Sequence, residues 1–387
     1  MKKPKIALVR GKFLNTYEMQ MYEPLVGRYD ITAFGSLTSY HDRFVFPAVK
    51  LPSPMDLPEF PYNMSILNRL FVDAHYLWGL EEKLTDYDIV HTAETYFHYT
   101  QQCLNVRREG RVKKVVATVL ENIPFNNEGI WGRKRFKARA RRELDHIVAL
   151  THKTKETLLA EGADPKKITV IGHFIDTKRF KPDPTQQRRL ADRKRRKFRI
   201  LFAGRLEEYK GVYDVVQAVW MLVGDIELAM YQLTLVMVGD GSEQEKLKRI
   251  VREYGLGDRV DFQQASYEQM PEVYRQADIF VAPSKPRIRW EEQYCTVLLE
   301  AQASGLPIVT TATGGIPENI KDAGVVVTPG DVQAIARGIK AYILDPKLRI
   351  SYAKKARARA LGVHDITIGA KKLDELYQML LSASYVV

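Results

Sequence analysis

At 387 residues the chain is longer than one compact core usually spans, so two domains are expected. Its 45% hydrophobic and 27% charged content is that of a soluble globular protein, and the absence of an apolar run of about 18–20 residues excludes a membrane span. Cys103 and Cys295 alone make neither a disulfide framework nor a cysteine metal site, while 59 basic against 47 acidic side chains give +12, a charge suited to nucleic acid, anionic membrane or phosphorylated ligands.

The N-terminus, MKKPKIALVRGKF, is basic and then apolar, but IALV is shorter than the roughly 7–15 residues of a signal-peptide core. It reads as a first strand over 5–9, and these features together point to the cytosol. Gly11 follows, flanked by Arg10 and Lys12. Residues 41–65 hold five prolines (Pro47, Pro52, Pro54, Pro58 and Pro61) and predict a long loop. Further strands are predicted at 88–91, 114–119, 147–150 and 168–171. A helical stretch is predicted at 152–160.

Between these strands, 131–146 (WGRKRFKARARRELDH) predicts a helix with seven cations. Trp131, Phe136, Ala140 and Leu144 would form a narrow apolar stripe on it. Such a helix suits an anionic lipid surface, or equally a solvated face of the first domain. The polar run 181–198 reads as the junction of two halves. Strands follow at 199–203, 233–238, 259–262, 279–282 and 307–310, with a helix at 243–254. The alternation predicts α/β units with parallel sheets.

In such sheets ligands bind beyond the carboxyl ends of the strands. Four successive strand ends in the second half carry glycine, cations or acids. They are RILFAGRLEEYKG at 199–211, LVMVGDGSE at 235–243, PSKPRIRWEEQYC at 283–295 and TATGGIPENI at 311–320. Arg205 and Lys210 suit a diphosphate, or are a pair of surface cations on a βα loop. Glu292 and Glu300 stand on either side of a helix start, where orphan N–H groups favour anions.

Arg205 and Lys210 with four residues between them, Gly239-Asp240-Gly241, the Glu292/Glu300 pair, ASGLPIV and GGIPE, in this order over most of 145–345, together resemble the retaining glycosyltransferases of family 4, with the GT-B fold. That resemblance implies an α/β fold of two Rossmann-like domains with parallel sheets facing a central cleft. Residues 1–175 would bind acceptor and 176–365 the nucleotide-sugar, and a helix in 366–387 would pack back toward the first domain. Arg205 and Lys210 would clamp the donor diphosphate and, with Glu292, serve transfer. Glu300 would hold the ribose. Gly11, Gly239 and the segment Gln293, Tyr294, Cys295 and Thr296 would complete donor binding. The implied reaction is metal-independent, cofactor-free retaining transfer from a nucleotide-diphospho-sugar to a glycan, lipid-linked or small-molecule acceptor, at the cytoplasmic face of a membrane or in the cytoplasm.

The first half departs from the family pattern. Leu120 stands where an active-site histidine is expected, followed by Glu121 and Asn122, which could substitute for it. His91 ends its strand as an acceptor contact or a half-buried structural histidine. Cys295 replaces a common glycine. Alternatives to transfer are a basic nucleic-acid- or sugar-binding protein and a glycoside hydrolase with paired carboxylates. The basic runs carry no nucleic-acid-binding signature. A hydrolase would not need Arg205 and Lys210 beside the acids.

Overall fold

The computed structural model describes residues 2–58 and 63–382. They form two compact units, one of Met1–Phe174 with Ile366–Val387 and one of Ile175–Asp365.

In the first unit, strands β1 (Lys5–Gly11), β2 (Asp30–Ser36), β3 (Ala48–Leu51), β4 (Tyr87–Ala93), β5 (Val112–Val119), β6 (His146–Ala149) and β7 (Ile168–Val170) form one parallel sheet ordered β3-β2-β1-β4-β5-β6-β7. In the second, β8 (Lys197–Ala203), β9 (Gln232–Val238), β10 (Val260–Gln263), β11 (Ile279–Ala282), β12 (Ile308–Thr311) and β13 (Val325–Val327) form another, ordered β10-β9-β8-β11-β12-β13. Central strands such as IFVA of β11 and IVTT of β12 are buried throughout. Burial on both faces is why they read as continuous apolar runs. Both sheets reverse their strand order once, at β1/β4 and at β8/β11. Each reversal opens a crevice beyond the carboxyl ends of the two strands.

Three strands were not expected from sequence: β2, β3 and β13. The 41–65 loop contains β3 and a single turn, Pro54–Asp56, capped by the Ser53 side chain. Pro61 lies outside the described residues. The run 181–198 is not a junction. It lies inside the second unit as the helix Pro184–Ala191 followed by the start of β8. Asp183 caps that helix by accepting the Gln186 N–H, and Pro184 occupies its first turn. Two cations of the run, Arg189 and Arg195, each donate to the fully buried Asp278 at 2.8 Å, so the charge is partly spent inside the fold. The helix Ile366–Ser382 belongs to the first unit, where Asp374 accepts from Arg28 and from the Tyr29 hydroxyl.

Candidate active site

The crevice at β8/β11 is built by the loops that follow those strands. After β8 the chain passes exposed Arg205 and reaches Lys210 in a short 3-10 turn, Glu208–Lys210. Gly211 then turns it into the helix Val212–Val223 with φ 75°. A Cβ at Gly211 would lie 2.1 Å from the Pro283 carbonyl oxygen. Only glycine lets the loops after β8 and β11 approach this closely.

That approach brings Lys210 to Glu292. Lys210 Nζ donates to Glu292 Oε2 at 2.7 Å, and Ser284 Oγ donates to the same oxygen at 2.7 Å. The Glu292 carbonyl accepts the Gly315 N–H at 2.8 Å, which ties in the loop after β12. Burial opposes the charge on Lys210, but Glu292 beside it raises its pKa above the ordinary lysine value. An aromatic floor lies beneath the cations. Tyr209 and Trp290 are 4.3 Å apart, Lys210 sits 5.0 Å from the Trp290 ring, and Arg205 lies 5.4 Å from the Tyr209 ring.

Glu292 precedes the helix Thr296–Ala303, and Glu300 lies within it. Glu300 is 5% exposed, and burial pushes its carboxyl up to about 7. A hydrogen bond with Tyr274 and the charge of Arg179 offset only part of that rise. Gln293 is partly buried. Tyr294 and Cys295 are buried, and their carbonyls accept from Asn319 Nδ2 at 2.6 and 3.3 Å. Asn319 therefore fixes the entry to the helix.

Cys295 has φ 60° and ψ 72°. This left-handed conformation costs a non-glycine residue roughly 1–2 kcal/mol and accounts for a glycine at this place in the family pattern. Replacing Cys295 with glycine relieves the backbone but loses a buried side chain. We expect Cys295→Gly to keep the unfolding free energy in urea within about 1 kcal/mol of the parent. Cys295→Val, β-branched at positive φ, should lower it by about 2–3 kcal/mol.

Gly239 follows β9 with φ 138°, and a Cβ there would lie 2.1 Å from the Gly204 carbonyl oxygen. Contact between two loops already demands glycine at this position, whatever a ligand requires.

In the first unit the expected residues fare differently. Gly11 ends β1 with φ 54°. His91 is 0% exposed, and both its ring nitrogens are engaged, Nδ1 with the Tyr377 hydroxyl at 2.7 Å and Nε2 with Thr118 Oγ1 at 2.8 Å. Burial, then the Arg10 charge, holds its pKa well below the histidine norm. It is a satisfied core histidine, not an acceptor contact. The Glu121 carboxylate is also engaged, accepting from the Ile123 N–H at 3.0 Å and from the amides of Asn126 and Asn127 at 2.8 and 3.1 Å. It closes a turn after β5, with buried Asn122 beside it, and does not replace the missing histidine as a free contact. Sequence reasoning passed over Glu94, just after β4, whose carboxyl reaches the end of β5.

The helix at 131–146 spans Arg133–Glu143, but its apolar stripe is not a lipid face. Ala140 and Leu144 are fully buried in the core of the first unit. Arg133 and Lys137 are buried too, paired with Asp73 and Glu161. Trp131, 71% exposed, and the exposed cations Lys134, Arg135 and Arg142 remain outside. Among the described residues no helix is long and apolar enough to cross a membrane.

Two family models match the chain: glycosyltransferase family 4 over residues 32–179 and glycosyl transferases group 1 over 184–359. The D-inositol 3-phosphate glycosyltransferase 1 of Catenulispora acidiphila is 30% identical over 229 residues, which is 56% of this chain and 53% of that protein. The GDP-mannose-dependent alpha-(1-6)-phosphatidylinositol monomannoside mannosyltransferase of Mycolicibacterium smegmatis is 31% identical over 196 residues, 49% of this chain and 48% of that protein. The chain thus spans about half the length of these relatives. Among solved structures, Anabaena HepE in complex with UDP superposes with TM-score 0.75 at 17% identity, covering 97% of this chain and 100% of that one. Sucrose-phosphate synthase from Thermosynechococcus elongatus gives 0.77 at 20% identity, covering 98% and 100%. At these identities the likeness is one of fold.

Proposed function

The chain belongs to the group 1, family 4 glycosyltransferases of the GT-B fold, and from that premise we propose that it moves a sugar, with retention, from a nucleotide-diphospho-sugar to a hydroxyl acceptor without a metal. The observation that carries this reading is the Lys210–Glu292–Ser284 knot at the β8/β11 crevice. In this reading Lys210 is the cation for a diphosphate and Glu292 the carboxylate for sugar hydroxyls, on neighbouring loops, with Glu300 buried in the helix that follows.

In this mechanism the diphosphate lies against Arg205, Lys210 and the N–H groups that open the helix Thr296–Ala303. These fixed positive groups stabilise the negative charge that grows on the departing nucleotide, the part a metal would otherwise play. Glu292 accepts from sugar hydroxyls, and its charge favours the cationic character that develops at the anomeric carbon. The acceptor hydroxyl attacks from the face the phosphate leaves, and the leaving phosphate takes its proton. Positioning and electrostatics carry the rate.

Screening nucleotide-sugars by thermal shift tests the proposal. UDP- and GDP-sugars come first, because similar proteins are solved with UDP or named for GDP-mannose. The donor that stabilises the chain should also be slowly hydrolysed by it. A response to oligonucleotides and to no nucleotide-sugar would instead support the binding-protein reading.

An anionic membrane surface is a second part of the proposal, and it rests on a different face from the apolar stripe. Trp131 shares a pocket with Ser65, Asn68 and Arg69 of the helix Asn63–Phe71, whose Ile66 and Leu70 are exposed at 47% and 72%. Lys134 and Arg135 are exposed in the adjoining helix. Each cation near such a surface contributes roughly 1 kcal/mol, so Trp131→Ser combined with Lys134→Glu and Arg135→Glu should cut co-sedimentation with anionic liposomes by at least about tenfold. Unchanged co-sedimentation would remove the membrane from this proposal.

A further inference from the structure

The β1/β4 reversal in the first unit is the counterpart of the β8/β11 crevice, and the loop that leaves β4 there begins with Glu94. Its backbone is left-handed, φ 57°, in a residue with no glycine-like freedom. Two hydrogen bonds to its main chain hold it so. The Glu94 N–H donates to the Thr118 carbonyl at 2.8 Å, and its own carbonyl accepts from Thr100 Oγ1 at 2.9 Å. The Tyr99 N–H, in turn, is anchored on the His75 carbonyl at 3.1 Å, which fixes the helix that follows the loop.

Glu94 is 3% exposed, and its side chain crosses to the end of β5. Its Oε1 accepts the N–H of Leu120 at 2.8 Å and of Glu121 at 3.2 Å. Its Oε2 is buried and meets no hydrogen-bond partner among the described residues. Buried polar atoms are normally paired, so this orphan calls for an explanation. The groups facing Glu94 come from each element around it: Glu121 from the turn after β5, Lys137 from the helix Arg133–Glu143, Tyr96 from its own loop and Tyr99 from the helix His98–Arg108. Lys137 is already paired with Glu161. Burial first, and Glu121 second, push the Glu94 carboxyl up to about 8.

We infer that Glu94 is a positioning residue for sugar transfer, holding the Leu120–Asn122 backbone at the β5 end in the shape that recognises a sugar hydroxyl. This rests on the proposed transferase reading. It places the support of that corner on a residue from the neighbouring strand end. As an uncharged acid, Glu94 shares the corner with Glu121 without repulsion. Once ionised, two carboxylates face one turn and the β5 end loosens.

The test uses the full chain with Glu94→Gln and Glu94→Ala, the donor found by screening, and pH values from 6 to 9.5. Glutamine keeps the Oε1 acceptor and cannot ionise. Parent kcat should fall on an alkaline limb with a midpoint near 8. Glu94→Gln should stay within about threefold of the parent at pH 7 and lose that limb, and Glu94→Ala should lose kcat by about tenfold or more. Free-nucleotide affinity, a property of the second unit, should be unchanged in both. A limb that persists in Glu94→Gln, or parent turnover in Glu94→Ala, would overturn the inference.

If no donor is turned over, the transferase reading fails and urea unfolding takes its place as readout. The folded chain then binds the Glu94 proton more tightly than the unfolded chain. The contribution of Glu94 to stability is therefore greatest below the ordinary carboxylate range and is lost as pH rises toward about 8. Glu94→Gln should flatten that slope, and equal slopes in parent and variant would overturn the placement of Glu94.

Discussion

Lys210→Ala should lower turnover by about 10²–10³-fold, the usual cost of removing one preorganised charge from a developing anion. The ion pair with Glu292 complicates this expectation. Glu292 is only 6% exposed, and its Oε2 takes both Lys210 and Ser284. Deleting the cation leaves a buried carboxylate without its countercharge, which by itself destabilises the loop. The double variant Lys210→Met/Glu292→Gln separates the two effects. It removes the stranded charge together with the cation, so the fold recovers. Because Glu292 also serves the sugar, the reference is Glu292→Gln alone. If Lys210 serves the diphosphate, the double variant turns over more slowly than that single variant although the melting temperature returns. If Lys210 only neutralises Glu292, the two turn over equally. Arg205→Ala offers a cleaner comparison. Arg205 is exposed and leans on the Tyr209 ring, so its loss should cost little stability and about 10-fold or more in turnover. Parent turnover in Arg205→Ala and in Lys210→Ala, measured by nucleotide release, would remove the diphosphate role from both.

Much of this site was legible because its residues lie close in sequence to the strand ends that carry them. Arg205 and Lys210 follow β8, Glu292 follows β11, and the apolar runs that locate those strands are buried on both faces. Two of the missed strands, β3 and β13, lacked that signal. They have four and three residues, partly exposed at the sheet edges, and are too short to stand out as apolar runs. Glu94 was passed over for a different reason. Nothing in HTAETYF distinguishes it. Its meaning comes from two N–H groups 26 and 27 residues away, which only the β4–β5 pairing brings to it. The basic helix misled for the same reason. Periodicity put Ala140 and Leu144 on a face but did not reveal that Arg133 and Lys137 share it, neutralised by Asp73 and Glu161 from elsewhere in the chain. Cys295 stands where the family pattern has glycine, and its positive φ supplies the reason.

Nucleotide affinity should weaken as pH falls below about 7, because of Glu300. Burial raises its carboxyl to that value, with Tyr274 and Arg179 only partly opposing it. In the proposed complex the ribose hydroxyls donate to Glu300, and only the ionised carboxylate accepts with both oxygens. Binding must then expel a proton from the fraction that is protonated. Below the carboxyl's free value the dissociation constant should therefore rise by up to about tenfold per pH unit. Above it, affinity should be flat. Titration calorimetry in buffers of different ionisation heats would show protons released into solution near pH 6 and none near pH 8. Glu300→Gln cannot ionise, so it should bind about tenfold more weakly at pH 8, in line with the loss of a charge-assisted hydrogen bond. It should also show no dependence that stems from this side chain. The nucleotide's own phosphate titrates in the same range, so the informative quantity is the ratio of parent to variant affinity at each pH. A ratio that grows from pH 6 to 8 supports a carboxylate on the ribose. A ratio that shrinks would mean that the neutral acid, donating its proton to the nucleotide, is the bound form. A flat ratio would place Glu300 away from the nucleotide altogether.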